Sequence, residues 1–139
     1  MVNAKKFDLI WPLPNLLRER KFMKPWKGEN MKNDFVRTPQ KITEALLKYE
    51  KFEGNLLEPC CGDGAISAVL KRNRYKVISS DKFDYGFGKQ KDLFDIVESY
   101  DNVITNPPFT QQQLVKKHLL SITKKKLAWQ HFNHMINVN

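Results

Sequence analysis

Residues 56–68 constrain the fold more than any other stretch. Leu56, Leu57, Glu58, Pro59, Cys60, Cys61, Gly62, Asp63, Gly64, Ala65, Ile66, Ser67 and Ala68 spell a short apolar strand, a glycine-containing turn and a helix. An open α/β sheet begins a ligand site in this way, at the carboxyl end of its first strand. Gly62 and Gly64 let the backbone come into contact with a ligand, and Glu58 sits where a carboxylate would meet a cationic or hydroxyl-bearing group. A third glycine at the spacing of a pyrophosphate-binding loop is missing, as is the Lys followed by Ser or Thr of a P-loop. Dinucleotides and nucleoside triphosphates are therefore disfavoured.

Two further strands with chemistry at their ends follow. Tyr75–Asp81 is apolar enough for a second strand and ends in an acid seventeen positions beyond Gly64. A carboxylate there is placed to accept from both hydroxyls of a ribose. Asp92, Leu93 and Phe94 come next: Asp92 could accept from an adenine amine and Phe94 flank the ring, or Asp92 could be a helix cap or a solvated loop residue. Val103, Ile104 and Thr105 then lead directly into Asn106, Pro107, Pro108 and Phe109. The Asn106 side-chain carbonyl and the backbone carbonyl of Pro107 can both accept from one exocyclic amine. Successive prolines stiffen the loop and remove N–H donors, and Phe109 can stack on a flat substrate. In isolation the same four residues would make a rigid turn ending a strand.

Taken in order, these motifs resemble the class I S-adenosylmethionine-dependent methyltransferases, and within them the amino-methylating group typified by N6-adenine DNA methyltransferases. The resemblance runs from about Phe35 to about Leu127. It implies a Rossmann-like α/β sheet with flanking helices, and S-adenosyl-L-methionine as methyl donor. Glu58, Pro59, Cys61, Gly62 and Gly64 look like the methionine-end cradle, Asp81 with Lys82 like the ribose contact, and Asp92 with Phe94 like the adenine contact. Asn106, Pro107, Pro108 and Phe109 look like the catalytic tetrapeptide, with Asn106 also at the cofactor. Val36, Arg37, Thr38 and Pro39 look like the element that touches the methionine carboxylate, which assigns Thr38 and Pro39 to the cofactor. The implied acceptor is adenine N6 in DNA. Enzymes methylating ribosomal RNA guanine amines, or a glutamine of release factors, carry similar tetrapeptides, and Phe rather than Tyr at 109 leans towards a nucleobase. The resemblance implies no metal and no covalent enzyme intermediate, and the cysteines are not nucleophiles, since carbon-5 cytosine chemistry needs a Cys where Asn106 stands.

The 139 residues suffice for one domain with a real core. No stretch approaches the roughly 20 apolar residues of a membrane span, and no signal peptide opens the chain, so a cytoplasmic protein is expected. Cys60 and Cys61 are adjacent, which suits neither a structural disulfide nor zinc; they read as small residues packed at the turn. The net charge of +9 argues for polyanion affinity: DNA, with RNA as the alternative. Basic residues gather early (Lys5, Lys6, Arg18, Arg20, Lys21, Lys24, Lys27, interleaved with Trp11 and Trp26) and late (Lys116, Lys117, Lys124, Lys125, Lys126). Such runs are also the ordinary make-up of a solvated face.

Residues 1–33 read as a basic, irregular arm with one short helix near Leu16–Phe22, and residues 34–128 as the cofactor-binding domain. Thr38 caps, and Pro39 begins, a helix to about Tyr49 with Ile42, Ala45, Leu46 and Tyr49 on one face. Gly54 breaks before the first strand. Ile66–Arg72 is a short helix carrying Val69 and Leu70 inward, and Gly86 and Gly88 mark a loop of the kind that lies over a cofactor. Asp101–Thr105 is a strand, and Gln111–Thr123 a helix whose Leu114, Val115, His118, Leu119 and Ile122 share a face, His118 as a packing or rim residue. Lys126, Leu127 and Ala128 start a fifth strand. Residues 129–139 look like neither a buried parallel strand nor a helix. About five strands at most are expected, against seven in the resembled fold. The expectation is a truncated or frameshifted member whose open sheet edge a partner chain or self-association would cover. The rival from another class is a non-catalytic remnant that binds cofactor or nucleic acid.

Overall fold

Three pairs of neighbouring residues, Leu56 with Leu57, Val103 with Ile104 and Leu127 with Ala128, are all 0–1% exposed. Burial of both faces is the mark of central strands in a parallel sheet with helices on either side. The computed structural model describes residues 9–10, 37–107, 110–129 and 134–138. Along the chain it contains β1 (Leu9–Ile10), α1 (Gln40–Tyr49), β2 (Leu56–Glu58), α2 (Ala65–Arg72), β3 (Val77–Asp81), β4 (Lys89–Gln90), a 3-10 turn (Leu93–Asp95), β5 (Tyr100–Thr105), α3 (Gln112–Ser121), β6 (Thr123–Trp129) and β7 (His134–Asn137).

The strands form one sheet in the order β1-β7-β6-β5-β2-β3-β4. Strands β4, β3, β2, β5 and β6 run parallel, with Leu57 opposite Ile78 on one side and Val103 on the other. The chain winds outward from β2 to β4, then returns to β5 and winds the other way. The point of reversal lies between β2 and β5, where ligand crevices open at the carboxyl ends.

The period-2 alternation of the strands divides the core into two layers. Leu57, Val103 and Leu127 face Val115, Leu119 and Ile122, so α3 covers this side, joined by Leu93, Ile96 and Val138. Leu56, Ile104 and Ala128 face the other way, onto Leu46 of α1 and Ile66 and Leu70 of α2, with Phe52. Among the described residues no helix is long and apolar enough to cross a membrane.

Several expectations need correction. Five strands describe the parallel part, but the sheet does not end at β6. The atypical tail supplies β7, which pairs antiparallel with β6 through Leu127–Ile136 and Ala128–Met135, and β1 pairs antiparallel with β7. The edge beside β6 that looked open is therefore covered from within the chain. An antiparallel strand at this position needs no continuous apolar run, so the tail lacked the pattern of a buried strand.

Thr38 does not cap α1: Pro39 takes the N-cap position and, lacking a side-chain acceptor, leaves the helix without a side-chain cap. Tyr49 and Leu114, both placed inward by spacing, are 52% and 58% exposed. The second strand starts at Val77 rather than Tyr75, whose ring packs edge-on against Phe52. Helix α3 stops at Ser121, and β6 begins at Thr123 rather than near Lys126, its first residue pairing with Tyr100 of β5. The helix expected near Leu16–Phe22 lies outside the described residues.

Candidate functional site

At the carboxyl ends of β2, β3 and β5 a cavity of about 360 Å³ opens, lined by Glu58, Asp81, Asp92, Phe94 and Asn106 among others. Each strand that points its end here delivers one polar side chain. Glu58 ends β2, Asp81 ends β3, and Asn106 follows β5. Strand order sets Asp81 on one side of Glu58 and Asn106 on the other.

Glu58 is 1% exposed. Its Oε2 accepts a hydrogen bond from the Ser67 hydroxyl of α2, and Ser67 in turn lies 2.7 Å from the Ser79 hydroxyl of β3. Burial pushes the Glu58 carboxyl up to about 8, with Asp81 and Asp63 adding to the rise and the Ser67 bonds opposing it. The sequence offered Glu58 as a carboxylate for a cationic or hydroxyl-bearing partner. In the protein it holds its proton around neutral pH and turns into a carboxylate when the surroundings supply compensating charge.

Asp81 ties two loops together. Its Oδ2 accepts from the Gly62 amide at 2.9 Å and its Oδ1 from the Phe83 amide at 3.0 Å. The glycine turn is thus anchored to the tip of β3. Gly64 closes that turn at φ 90°, and a Cβ there would come within 2.7 Å of the Phe87 ring, so only glycine fits. Asp92 is the cap the sequence allowed, its Oδ1 accepting from the Phe94 amide at the start of the 3-10 turn, and it also lines the cavity. Lys82 Nζ reaches Asp92 at 3.8 Å. Phe94 sets its ring edge-on to His118, 5.5 Å away, and His118 Nε2 lies 2.9 Å from the Ile96 carbonyl oxygen, a rim position.

Asn106 Nδ2 donates to Thr38 Oγ1 at 3.2 Å, bringing the segment before α1 against the loop after β5. Thr38, Pro59, Cys61 and Lys82 line the cavity; Pro39, Gly62 and Gly64 are not among its lining residues, the glycines acting through the shape of the turn and Pro39 through the start of α1. Pro107 is buried. Pro108 and Phe109, and with them the stacking role expected of Phe109, lie outside the described residues.

Cys60 is half-buried against the α3-side core, and Cys61 is buried with its Sγ 3.8 Å from the Phe87 carbonyl oxygen. Burial raises both thiols, Cys61 to about 12, with the Glu58 and Asp81 carboxyls adding to it; neither is a thiolate at neutral pH. They pack, as expected. Among the described residues no group of three or more His, Cys, Asp or Glu side chains could hold a metal ion.

Sequence reasoning missed four participants. Ser67 reaches Glu58 from α2, Ser79 reaches Ser67 from β3, and Phe83 and Tyr85 line the cavity from the loop after β3. Phe83 and Tyr85 left a signal, an aromatic at every second position after Asp81. It went unused because it lies beyond any strand.

No family model and no curated protein matches the sequence. Solved structures do match. Magnesium protoporphyrin IX methyltransferase from Synechocystis PCC 6803, crystallised with bound SAM, is similar to 83% of this chain at a TM-score of 0.54 and 18% identity, and the chain spans 69% of it. The chain has a class I methyltransferase fold. TehB from Haemophilus influenzae is similar to 79% of this chain at a TM-score of 0.51 and 17% identity, the chain spanning 44% of it. In this methyltransferase fold, the three polar strand ends described above share the crevice at the topological reversal. The donor set suits a ligand with a cation at one point, vicinal hydroxyls at another and an aromatic ring beside Phe94.

Proposed function

We propose that this chain is an S-adenosylmethionine-dependent methyltransferase whose acceptor is an exocyclic amine of a nucleobase, adenine N6 in DNA. The observation that carries the reading is one cavity lined by Glu58, Asp81, Asp92, Phe94 and Asn106 at the carboxyl ends of the parallel strands. The fit to the donor can be tested on the residues themselves. Glu58 would lie near a cationic group, whose charge brings the carboxyl into its ionised form. Asp81, already oriented by two backbone amides, keeps lone pairs for hydroxyls. Asp92 and Phe94 would take the ring. S-adenosylmethionine, when bound, supplies an electrophilic methyl group.

The remaining chemistry belongs to the chain. The Asn106 side-chain oxygen and the Pro107 carbonyl would accept from the two N–H bonds of an acceptor amine, drawing its lone pair out of conjugation and towards the methyl group. Holding both partners in one cavity replaces a bimolecular encounter by a positioned one. A nucleobase acceptor is favoured by the tetrapeptide, which ends in Phe, and by the net charge of +9. A base in a duplex would have to leave the stack to reach this crevice.

The test begins with calorimetric titration of the chain with S-adenosylmethionine, with Asp81→Ala as control. Saturable heat that disappears in the control supports the cofactor reading; no heat in the wild type sinks it. Methyl transfer from labelled donor is then compared on unmethylated duplex DNA, ribosomal RNA and a glutamine-containing release-factor peptide. Label on adenine in DNA is the expected result. Transfer to RNA or peptide instead would replace the acceptor and keep the reaction class.

A further inference from the structure

We propose that Thr38 is a positioning residue for Asn106, holding the nitrogen end of its amide so that the oxygen end is presented to the acceptor amine. The inference rests on the function proposed above and adds a role to it that cofactor contact does not cover. Four observations support it. Thr38 is 5% exposed and lines the same cavity as Asn106. Its Oγ1 accepts from Asn106 Nδ2 at 3.2 Å across 68 positions of sequence. Thr38 lies one position before the N-cap, Pro39, and its hydroxyl makes no cap for α1, which begins at Gln40. And the adjacent Arg37 holds Asp63 Oδ2 at 2.9 Å, so two consecutive residues fasten the glycine turn and the loop after β5 to one segment.

The chemistry gives the contact its value. The two ends of an Asn amide differ in kind: the oxygen accepts and the nitrogen donates. An acceptor amine offers N–H bonds, so it is held by the oxygen and repelled by the NH2. In the observed orientation the Thr38 hydroxyl accepts from Nδ2 and anchors the side chain there, which sets Oδ1 on the side of the amide away from Thr38. Arg37 adds a surface ion pair to Asp63 that links the same segment to the turn after β2.

The variants are Thr38→Val, which keeps the shape and removes the hydroxyl, and Thr38→Ser, which keeps the hydroxyl. The first measurement needs no ligand. In the 15N-labelled chain the Asn106 side-chain NH2 pair is assigned by its loss in Asn106→Asp, and it should move in Thr38→Val and stay near its wild-type position in Thr38→Ser. An unmoved pair in Thr38→Val overturns the proposal. The second measurement separates positioning from cofactor contact: Thr38→Val should lower kcat by on the order of tenfold with the calorimetric Kd for S-adenosylmethionine changed less than about twofold, and Thr38→Ser should recover most of the rate. Lost donor affinity with unchanged kcat overturns positioning in favour of a cofactor contact. Absence of methyl transfer in the wild type sinks the function itself, and the catalytic role of Thr38 with it, whatever the NH2 pair does.

Discussion

Glu58 gives the sharpest prediction available at a single residue. Its carboxyl is 1% exposed and held up to about 8 by burial, whereas in the unfolded chain it returns to the ordinary value of 4.5. Between those two pH values the folded protein binds more protons than the unfolded one, so stability must fall as pH rises through the window. Glu58→Gln mimics the protonated form at every pH. Calorimetric melting across pH 5–8.5 should therefore show the variant level with wild type near pH 5 and ahead of it above pH 8, by on the order of 5 °C. A difference that does not change with pH would remove the argument. Asp81 matters through its hydrogen bonds instead, its two side-chain oxygens accepting from the Gly62 and Phe83 amides. Asp81→Ala frees both, and urea unfolding should show a loss of about 1–3 kcal/mol along with the loss of donor binding.

At the scale of the element, α3 shows how far periodicity carries. Val115, Leu119 and Ile122 are 0–3% exposed while Leu114 is 58% exposed, although spacing placed all four inward. Leu114 lies one residue around the helix from Val115, at the border of the buried stripe, and an apolar side chain at a border looks the same in sequence as one in the core. Leu119→Ala should cost about 2–5 kcal/mol and Leu114→Ala less than about 0.5 kcal/mol, a contrast that urea midpoints measure directly. The polar strand ends were legible because residue type and position after an apolar run define them together: Glu58, Asp81 and Asn106 all reach the cavity. What could not be read were contacts between distant segments. The Ser67 bond to Glu58, the Arg37 pair with Asp63 and the Thr38 bond to Asn106 join residues that no local pattern links. Strand β7 was hidden for a related reason, since its pairing comes from β6 and not from its own composition.

For the whole molecule, charge and the sheet edge matter most. With a net charge of +9, binding to a fluorescent duplex should weaken at least about tenfold between 50 and 200 mM salt if the acceptor is DNA; binding indifferent to salt would detach the charge from the function. Deleting residues 130–139 would bare β6 from Lys126 to Trp129 and empty the place of Val138, which is 4% exposed in the α3-side core and whose amide donates to the Lys125 carbonyl at 2.6 Å. Sedimentation of that deletion should show self-association through the naked edge. Strand β1 extends the same feature, since Leu9 and Ile10 have Met135 and His134 as their partners. Residues 9 and 10 are made well before residues 134 and 135, so this end of the sheet cannot close until β7 has been synthesised and delivered to β6.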